Sequence, residues 1–349
     1  MHKGVGSALL AALLFGAATP LTKALLGQTS PQVLAGLLYV GSGVGLTIYQ
    51  LLRRRRGRAA GEASLTTADL PWLAGAIAFG GVAAPLLLTL ALVRIPASGA
   101  SLLLNLEAMF TALLAWLVFR ENVDRRIVLG MLAIVAGSVL LSWESRLSWS
   151  SDAGPVLVAA ACLCWGIDNN LTQRVSSADP VQVAAIKGLT AGSVNLGAGL
   201  LAGGQWLPGP YLAGALVLGL VSYGLSLTLF VLAMRSLGVA RTGAYFSVAP
   251  FVGSALGLLM FRESVTPLFA AAGGLMALGV GLHLSERHEH LHTHSPMRHA
   301  HRHVHDEHHR HVHDPGDPPG EPHAHEHGHG RLRHTHAHFP DLHHRHPHA

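Results

Sequence analysis

Long apolar runs alternate with short polar links from the N-terminus to about residue 285. Each run has about 18–23 residues, the length at which an α-helix crosses roughly 30 Å of hydrocarbon. Because the backbone finds no water partners in that layer, these runs should be helical. The pattern predicts ten membrane-spanning helices, over Val5–Leu26, Gln32–Leu52, Trp72–Val93, Ser98–Phe119, Ile127–Trp143, Pro155–Arg174, Val181–Leu201, Leu212–Met234, Val239–Phe261 and Pro267–Leu284.

The composition supports an all-α membrane protein. Half of the 349 residues are hydrophobic and only 12% are charged, whereas soluble proteins carry about a quarter charged residues. The main partner should therefore be the lipid bilayer. We expect no enzyme, because the chain has no phosphate-cradling Gly-Lys-Ser/Thr loop, no nucleophile elbow and no His-Glu-x-x-His helix.

Lysine and arginine fall mainly in every second link, which predicts the orientation of the chain. With the N-terminus inside, the cytoplasmic links carry the run Arg53–Arg56, whereas the opposite links carry only Arg94, Arg146 and Arg262. We therefore predict a multi-pass protein of the inner membrane with both termini in the cytoplasm. The arginine run is interpreted as a topology signal beside anionic lipid, and no nucleic-acid partner is expected.

The chain also contains an internal repeat at an offset of roughly 142–150 residues. Phe15-Gly16 corresponds to Trp165-Gly166, and Phe119-Arg120-Glu121 corresponds to Phe261-Arg262-Glu263. Five spans per repeat is an odd number, so the second repeat should have inverted topology, as in many secondary transporters. The predicted domains are a first repeat over residues 4–143, a second over 154–284, and a C-terminal tail over 285–349.

These repeat motifs, together with Pro250 in the ninth span, resemble the EamA-type branch of the drug/metabolite transporter superfamily. The resemblance extends from Gly4 to about Leu284. It implies a ten-helix carrier, proton-coupled or facilitative, and commonly an exporter of small solutes. Ala108 stands where the second repeat has Pro250, so a proline kink is not expected in the first half. The chain is also similar in kind to nickel- and cobalt-resistance permeases with histidine-rich ends.

Within the apolar spans, the charged side chains that stand out are Lys23, Glu107, Asp168 and Lys187. A charge at the centre of the bilayer costs about 2.5–3.5 kcal/mol, so each is a candidate for a substrate or proton pathway. Structural explanations compete with this one. Lys187 could serve only as counter-ion to Glu107 or Asp168, and Lys23 could extend its ammonium to the membrane surface.

Asp168 is the strongest of these candidates. Cys164 precedes it by four residues and shares its helix face, and thiolate with carboxylate suits a borderline divalent cation. The alternative is that Cys164 only fills the core, as buried cysteines usually do. Asn169 could line the pathway or bond across helices. The full candidate set for the pathway is Asp168, Glu107, Lys187, Lys23, Asn105, Asn169 and Cys164.

From His283 to Ala349 the chain contains 24 of its 25 histidines, mostly in His-x-His series. Alternate residues of an extended chain point the same way, and neutral imidazole binds nickel, cobalt and zinc. Abundant proline, glycine and charge predict disorder without metal. The candidate metal ligands are His288, His290, His292, His294, His299, His301, His303, His305, His323, His325, His327, His329, His334, His336 and His338.

Three functions fit this sequence. The leading hypothesis is proton-coupled export of a divalent metal cation (nickel, cobalt or zinc) that the tail collects. The first alternative is an exporter of amino acids or metabolites whose tail buffers metal. The second is a membrane-anchored metal store or sensor. No cofactor is required beyond the metal bound by the tail, and the protein is expected to be a monomer or homodimer.

Overall fold

The structure is a computed structural model that describes residues 2–55, 63–118, 125–148 and 153–285, with four tail segments at 289–294, 297–303, 323–329 and 332–337. The described part up to residue 285 is helical apart from its links. Its elements are α1 (His2–Gly16), α2 (Ala18–Leu26), α3 (Pro31–Arg55), a 3₁₀ turn (Thr67–Asp69), α4 (Leu70–Ala76), the π-helical segment π1 (Ile77–Ala83), α5 (Ala84–Leu92), α6 (Ala97–Leu103), α7 (Asn105–Leu117), α8 (Arg125–Ser148), α9 (Ala153–Arg174), α10 (Pro180–Leu201), α11 (Gly209–Leu218), the π-helical segment π2 (Gly219–Leu225), α12 (Ser226–Phe246), α13 (Ala249–Phe261) and α14 (Pro267–Leu284).

Eight helical segments of the described chain are long and apolar enough to cross a membrane. They coincide with eight of the ten predicted spans. Helices α9 and α10, 22 residues each, occupy the two remaining predicted positions without being among the eight. They carry the buried Asp168 and Lys187. Eight spans are therefore established by length and composition, and the ten-span arrangement stays a prediction.

Several predicted spans are interrupted. The fourth breaks at Leu104, where the Leu104 amide bonds the Ser101 carbonyl at 3.1 Å and the Glu107 amide bonds Leu104 at 2.9 Å. These tightened i to i−3 bonds make the turn without proline, so the break in this span does not depend on a proline kink at Ala108. Helix α8 continues to Ser148 at the backbone level, past the predicted end at Trp143.

The π segments give the third and eighth predicted spans a shared irregularity. Each has seven residues, and they begin at Ile77 and Gly219, 142 residues apart. That spacing equals the offset between the Phe-Arg-Glu motifs, of which Phe119-Arg120-Glu121 lies outside the described residues. Widened turns of this kind often occur at functional sites.

The bundle is held together by close packing at small residues. Helix α3 packs along α10, α8 along α14, and α6 along α13. A Cβ atom at Gly188 would lie 2.5 Å from the Gly43 backbone nitrogen, and one at Gly257 would lie 2.8 Å from that of Ser98. Small residues let membrane helices approach this closely. Each helix pair joins corresponding spans of the two predicted repeats.

The links gather at two ends of the bundle. At one end Arg53 pairs with Asp179 at 3.4 Å, and Arg235 Nε donates to the Ser176 carbonyl at 2.6 Å. At the other end Lys23 Nζ donates to the Ile95 carbonyl. This grouping matches the predicted alternation of links. Which end is cytoplasmic remains a prediction.

Four segments of the tail are described as strands, and disorder of the tail without metal stays a prediction. They are β1 (Glu289–His294), β2 (Met297–His303), β3 (His323–His329) and β4 (Leu332–Ala337). Strand β1 pairs antiparallel with β4, and β2 with β3. His-x-His alternation has the period of a strand, which permits this pairing. The predicted ligands His288, His305 and His338 lie outside the described residues.

Candidate functional site

A central cavity lies between α1, α3, α7, α9, α10, π2 and α12. Its wall combines aromatic rings with a small polar group that contains two carboxylates and one ammonium. The position matches the middle of several spans, where transporters place their substrates. Its aromatic residues are Phe15, Tyr39, Trp165, Tyr223, Phe230 and Phe246.

One carboxylate of the cavity forms a buried ion pair. Lys187 Nζ on α10 donates to both carboxylate oxygens of Asp168 on α9, at 2.5 Å for Oδ1. Thr172 Oγ1 adds a hydrogen bond to Oδ1 at 2.9 Å. Lys187 is 1% exposed and Asp168 4%. Of the two counter-ions that the sequence leaves open for Lys187, the structure selects Asp168.

The second carboxylate, Glu107 on α7, has only neutral partners among the described residues. Asn169 Nδ2 donates to Glu107 Oε1 at 2.9 Å and to Thr111 Oγ1 at 3.1 Å. Glu107 takes part in neither of the two buried or half-buried ion pairs described, Arg53–Asp179 and Lys187–Asp168. Within the described residues, Glu107 therefore presents a carboxyl group to the cavity with a neutral amide as its hydrogen-bond partner.

Segment π1 packs against the Asp168–Lys187 ion pair through Gly80. A Cβ atom at Gly80 would lie 1.8 Å from Asp168 Oδ2, so only glycine lets the backbone approach the carboxylate. The Gly80 carbonyl accepts hydrogen bonds from the Tyr39 hydroxyl at 2.8 Å and from Trp165 Nε1 at 3.1 Å. A π turn shifts the helical hydrogen-bond pattern, and side chains take up its carbonyls here. Segment π1 thereby fixes two aromatic rings of the cavity.

Phe15 is the centre of the aromatic wall. Its ring centroid lies 5.9 Å from that of Trp165, 5.5 Å from Tyr223 and 5.3 Å from Phe246. The first two contacts are edge-to-face, the arrangement that aromatic quadrupoles favour. The sequence singles out Phe15 and Trp165 as repeat markers only. Their common role in one wall depends on tertiary packing and was not predicted.

The structure brings together four of the seven predicted pathway residues: Asp168, Glu107, Lys187 and Asn169 line the cavity. The other three lie elsewhere. They are Lys23, bonded to the Ile95 carbonyl; Asn105, whose Nδ2 donates to the Leu102 carbonyl at 3.0 Å; and Cys164, packed against the hydrophobic core.

Two hydroxyl groups of π2 and α12 that line the cavity join helices. Ser222 faces the cavity, yet its Oγ donates to the Leu14 carbonyl at 2.7 Å. Ser226 Oγ donates to the Ala11 carbonyl at 2.8 Å. Tyr223 contributes its ring to the wall. These bonds attach α1 to the second half of the bundle, as membrane hydroxyls often do.

The geometry does not build a metal centre inside the membrane-spanning part. Among the residues that the structure describes, no three histidine, cysteine, aspartate or glutamate side chains gather as a possible site. Asp168 is already neutralised by Lys187. His283 on α14 is buried, and its Nε2 lies 3.1 Å from the Ile127 carbonyl. Cys164 and Asp168 thus have no third ligand of these types beside them.

Comparisons with known proteins agree with this architecture. The sequence profile of the EamA-like transporter family matches residues 2–143 and 152–285. An uncharacterized transporter of Methanothermobacter thermautotrophicus is 29% identical over 290 residues, 79% of this chain and 84% of its own. A crystal structure of a protein with 19% identity has the same fold, with a TM-score of 0.60 over 79% of this chain and 95% of that one. The chain belongs to the EamA-like transporter family and is a multi-pass membrane transporter.

Proposed function

We propose that this protein is a secondary-active carrier for a small organic solute with a positively charged amine, bound in the central cavity. The observation that carries this proposal is Glu107, a carboxylate with neutral partners facing a wall of aromatic rings. Aromatic faces attract cations within about 6 Å of the ring centroid, and a carboxylate supplies the matching charge. An organic amine satisfies both features, and its apolar part suits the rings.

The Asp168–Lys187 pair supplies a means of coupling to protons. While Asp168 is ionised, the pair is neutral and the cavity retains the single charge of Glu107. A proton on Asp168 leaves the Lys187 ammonium without its counter-charge. The ammonium then repels a cationic solute from the same cavity, because like charges interact strongly where water is excluded. Proton entry and solute release are therefore linked in antiport.

Alternating access requires two halves that rock around the cavity. The proposal assigns these halves to the predicted inverted repeats, residues 4–143 and 154–284. Two observations support this assignment. Segments π1 and π2 begin 142 residues apart, which is the offset between the Phe-Arg-Glu motifs, and α3 packs along α10. In the proposed orientation both termini are cytoplasmic in the inner membrane, and the histidine-rich tail is on that side.

Export of nickel, cobalt or zinc is the second candidate, and one observation favours it: 24 of 25 histidines lie from His283 onward. The cavity favours it less, because Lys187 would have to leave Asp168 before the two carboxylates could share a divalent ion. In this alternative the tail loads the carrier. In the first proposal it buffers metal beside a carrier of organic solutes.

The test uses full-length protein in liposomes with an imposed pH gradient and an internal pH dye. The probes are an aromatic amine, the corresponding aromatic carboxylic acid and Ni²⁺. Proton flux driven by the amine, absent in Glu107→Gln, is expected. Flux driven by the acid and retained in Glu107→Gln would overturn the amine proposal. Flux driven by Ni²⁺ alone would favour the metal candidate.

A further inference from the structure

Three consecutive backbone carbonyls of π1 accept hydrogen bonds from side chains of other helices. The Gly80 carbonyl is bonded by two aromatic side chains of the cavity. The next two carbonyls, those of Gly81 and Val82, both accept from Asn195 Nδ2 on α10, at 3.3 and 3.1 Å. A π turn displaces carbonyls from their ordinary helical donors, and carbonyls away from water need other donors. One side chain thus serves two of the three carbonyls.

Asn195 directs the polar contacts of its side chain to π1. The residue is 1% exposed, and its Oδ1 atom has no hydrogen-bond partner among the described residues. It is also not among the residues that line the central cavity. The hydrogen bonds that the structure describes for this side chain therefore both go to π1, and neither goes to the place where a solute would bind.

The contact between α10 and π1 extends from Asn195 to the ion pair. Lys187, Ala191 and Asn195 are four residues apart in sequence, so they lie along one side of α10. A Cβ atom at Gly81 would lie 2.6 Å from Ala191 Cβ and 3.7 Å from Lys187 Cγ. Segment π1 belongs to the first predicted repeat and α10 to the second. This side of α10 therefore joins the two repeats beside the proposed proton acceptor.

We propose that Asn195 is a positioning residue of the transport cycle. It holds π1 against α10, and π1 in turn holds Asp168 in place at Gly80, where only a glycine leaves room for the carboxylate. A displacement of π1 therefore reaches Asp168, and a rearrangement of the ion pair reaches π1. Through this contact, protonation of Asp168 is linked to movement of one repeat against the other.

The proposal has two parts that can fail separately. The role of Asn195 in coupling rests on the proposed proton antiport, whereas its hold on π1 does not. Asn195→Leu tests both parts, because leucine has nearly the size of asparagine and no donor for the two carbonyls. Asn195→Ala, which places no apolar branch beside the carbonyls, gives the same comparison if the leucine variant does not fold.

Asn170→Leu is the matched control. Asn170 is 2% exposed, and its Oδ1 also has no partner among the described residues. Its Nδ2 donates to two carbonyls as well, those of Thr111 at 3.1 Å and Gly166 at 2.8 Å. Both variants therefore lose a buried amide with two bonds to the backbone. They differ in that the bonds of Asn195 go to π1.

Amide hydrogen exchange of the purified full-length protein in detergent tests the hold on π1. In Asn195→Leu, exchange within residues 77–87 should become about tenfold faster or more, because the lost bonds stabilise the closed form of this segment. In Asn170→Leu, exchange there should match the wild type. Exchange in π1 that is the same in Asn195→Leu and the wild type, or equally fast in both variants, would overturn the proposal.

Transport of the aromatic amine in liposomes tests the role in coupling. Asn195→Leu should lower the turnover rate about tenfold and change KM less, since the amide does not line the cavity. Asn170→Leu should leave both values near those of the wild type. Asn195→Leu combined with Gly80→Ala should be little slower than either single variant, because both act through π1. Multiplied effects in that combination would overturn the coupling role. An amine that drives no flux in the wild type would overturn the proposed function instead, and hydrogen exchange would still decide whether Asn195 holds π1.

Discussion

Two carboxylates face the same cavity in opposite electrostatic settings. Asp168 is 4% exposed and is bonded by Lys187 and Thr172. Glu107 accepts one hydrogen bond from the neutral amide of Asn169. A buried charge with a fixed partner contributes mainly to structure and coupling. A carboxyl group in a membrane cavity without a cationic partner is a candidate for binding a ligand. The difference shows that being a charge inside the membrane does not by itself define a residue's role.

The origin of each carboxylate explains the difference. Asp168 and Lys187 lie on consecutive helices, α9 and α10, so their pair forms within one helical hairpin. Glu107 comes from α7 in the first half and meets α9 only in the assembled bundle. The second half therefore provides the ion pair of the cavity, and the first half provides its second carboxyl group.

Breaking the Asp168–Lys187 ion pair should have the largest effect on the stability of the protein. Lys187→Met or Asp168→Leu alone leaves an uncompensated buried charge, and we expect each to lower the free energy of unfolding by about 3–5 kcal/mol. The double variant should regain most of that loss, because it buries no charge. Thermal unfolding of the purified proteins in detergent measures both effects.

The double variant also separates the structural role of the ion pair from its proposed role in proton coupling. It should fold but show no proton flux in the liposome assay, since the proposed proton acceptor is gone. If the double variant is as unstable as the singles, the pair does not act as one unit. If it transports with normal proton flux, coupling lies elsewhere.

Glu107→Gln should have the next largest effect, on binding rather than on stability. The change keeps the size of the side chain and its bond with the Asn169 amide. It removes a charge-assisted contact worth about 1.5–3 kcal/mol, so affinity for the amine should fall about 10- to 100-fold. Binding measured by fluorescence quenching of the cavity tryptophan would show this. A large fall in melting temperature instead would mean that Glu107 is a structural residue.

The sequence predicts which charged residues lie inside the membrane better than it predicts the partners of those residues. Charges at Glu107, Asp168 and Lys187 are visible because they interrupt apolar runs, and span boundaries follow from length alone. Partner choice is not visible, because it depends on helix rotation and on which helices pack together. Lys23 and Asn105 interrupt the same runs yet bond backbone carbonyls outside the cavity.

The π segments were beyond sequence reasoning for a related reason. A π turn is defined by shifted backbone hydrogen bonds, and Ile77–Ala83 has the composition of any apolar helix. The contact of Gly80 with Asp168 is equally hidden, because the chain has 40 glycines and most serve other contacts.

Gly80→Ala should have a smaller effect than the loss of either charge. The added methyl group cannot coexist with Asp168 in its present position, so the carboxylate or π1 must move. Overpacking of this kind costs about 1–3 kcal/mol, and it should also reduce proton flux by disturbing the ion pair. The measurements are thermal unfolding and the liposome assay.

Gly274→Ala is the matched control for this change. A Cβ atom there meets no atom within 4 Å, and the residue lies within α14. Alanine should leave transport unchanged and raise stability by about 0.5–1 kcal/mol, as expected inside a helix. Equal behaviour of the two variants would show that π1 does not constrain Asp168.

Of these variants, Thr172→Val should have the smallest effect on stability. It tests how much a single hydrogen bond contributes to the setting of Asp168. The change removes the hydroxyl that donates to Asp168 Oδ1 and leaves Lys187 in place. We expect a loss of about 1 kcal/mol in stability, typical of one hydrogen bond, with transport retained. A loss of proton flux in Thr172→Val would contradict this expectation, because Lys187 still pairs with Asp168 in that variant.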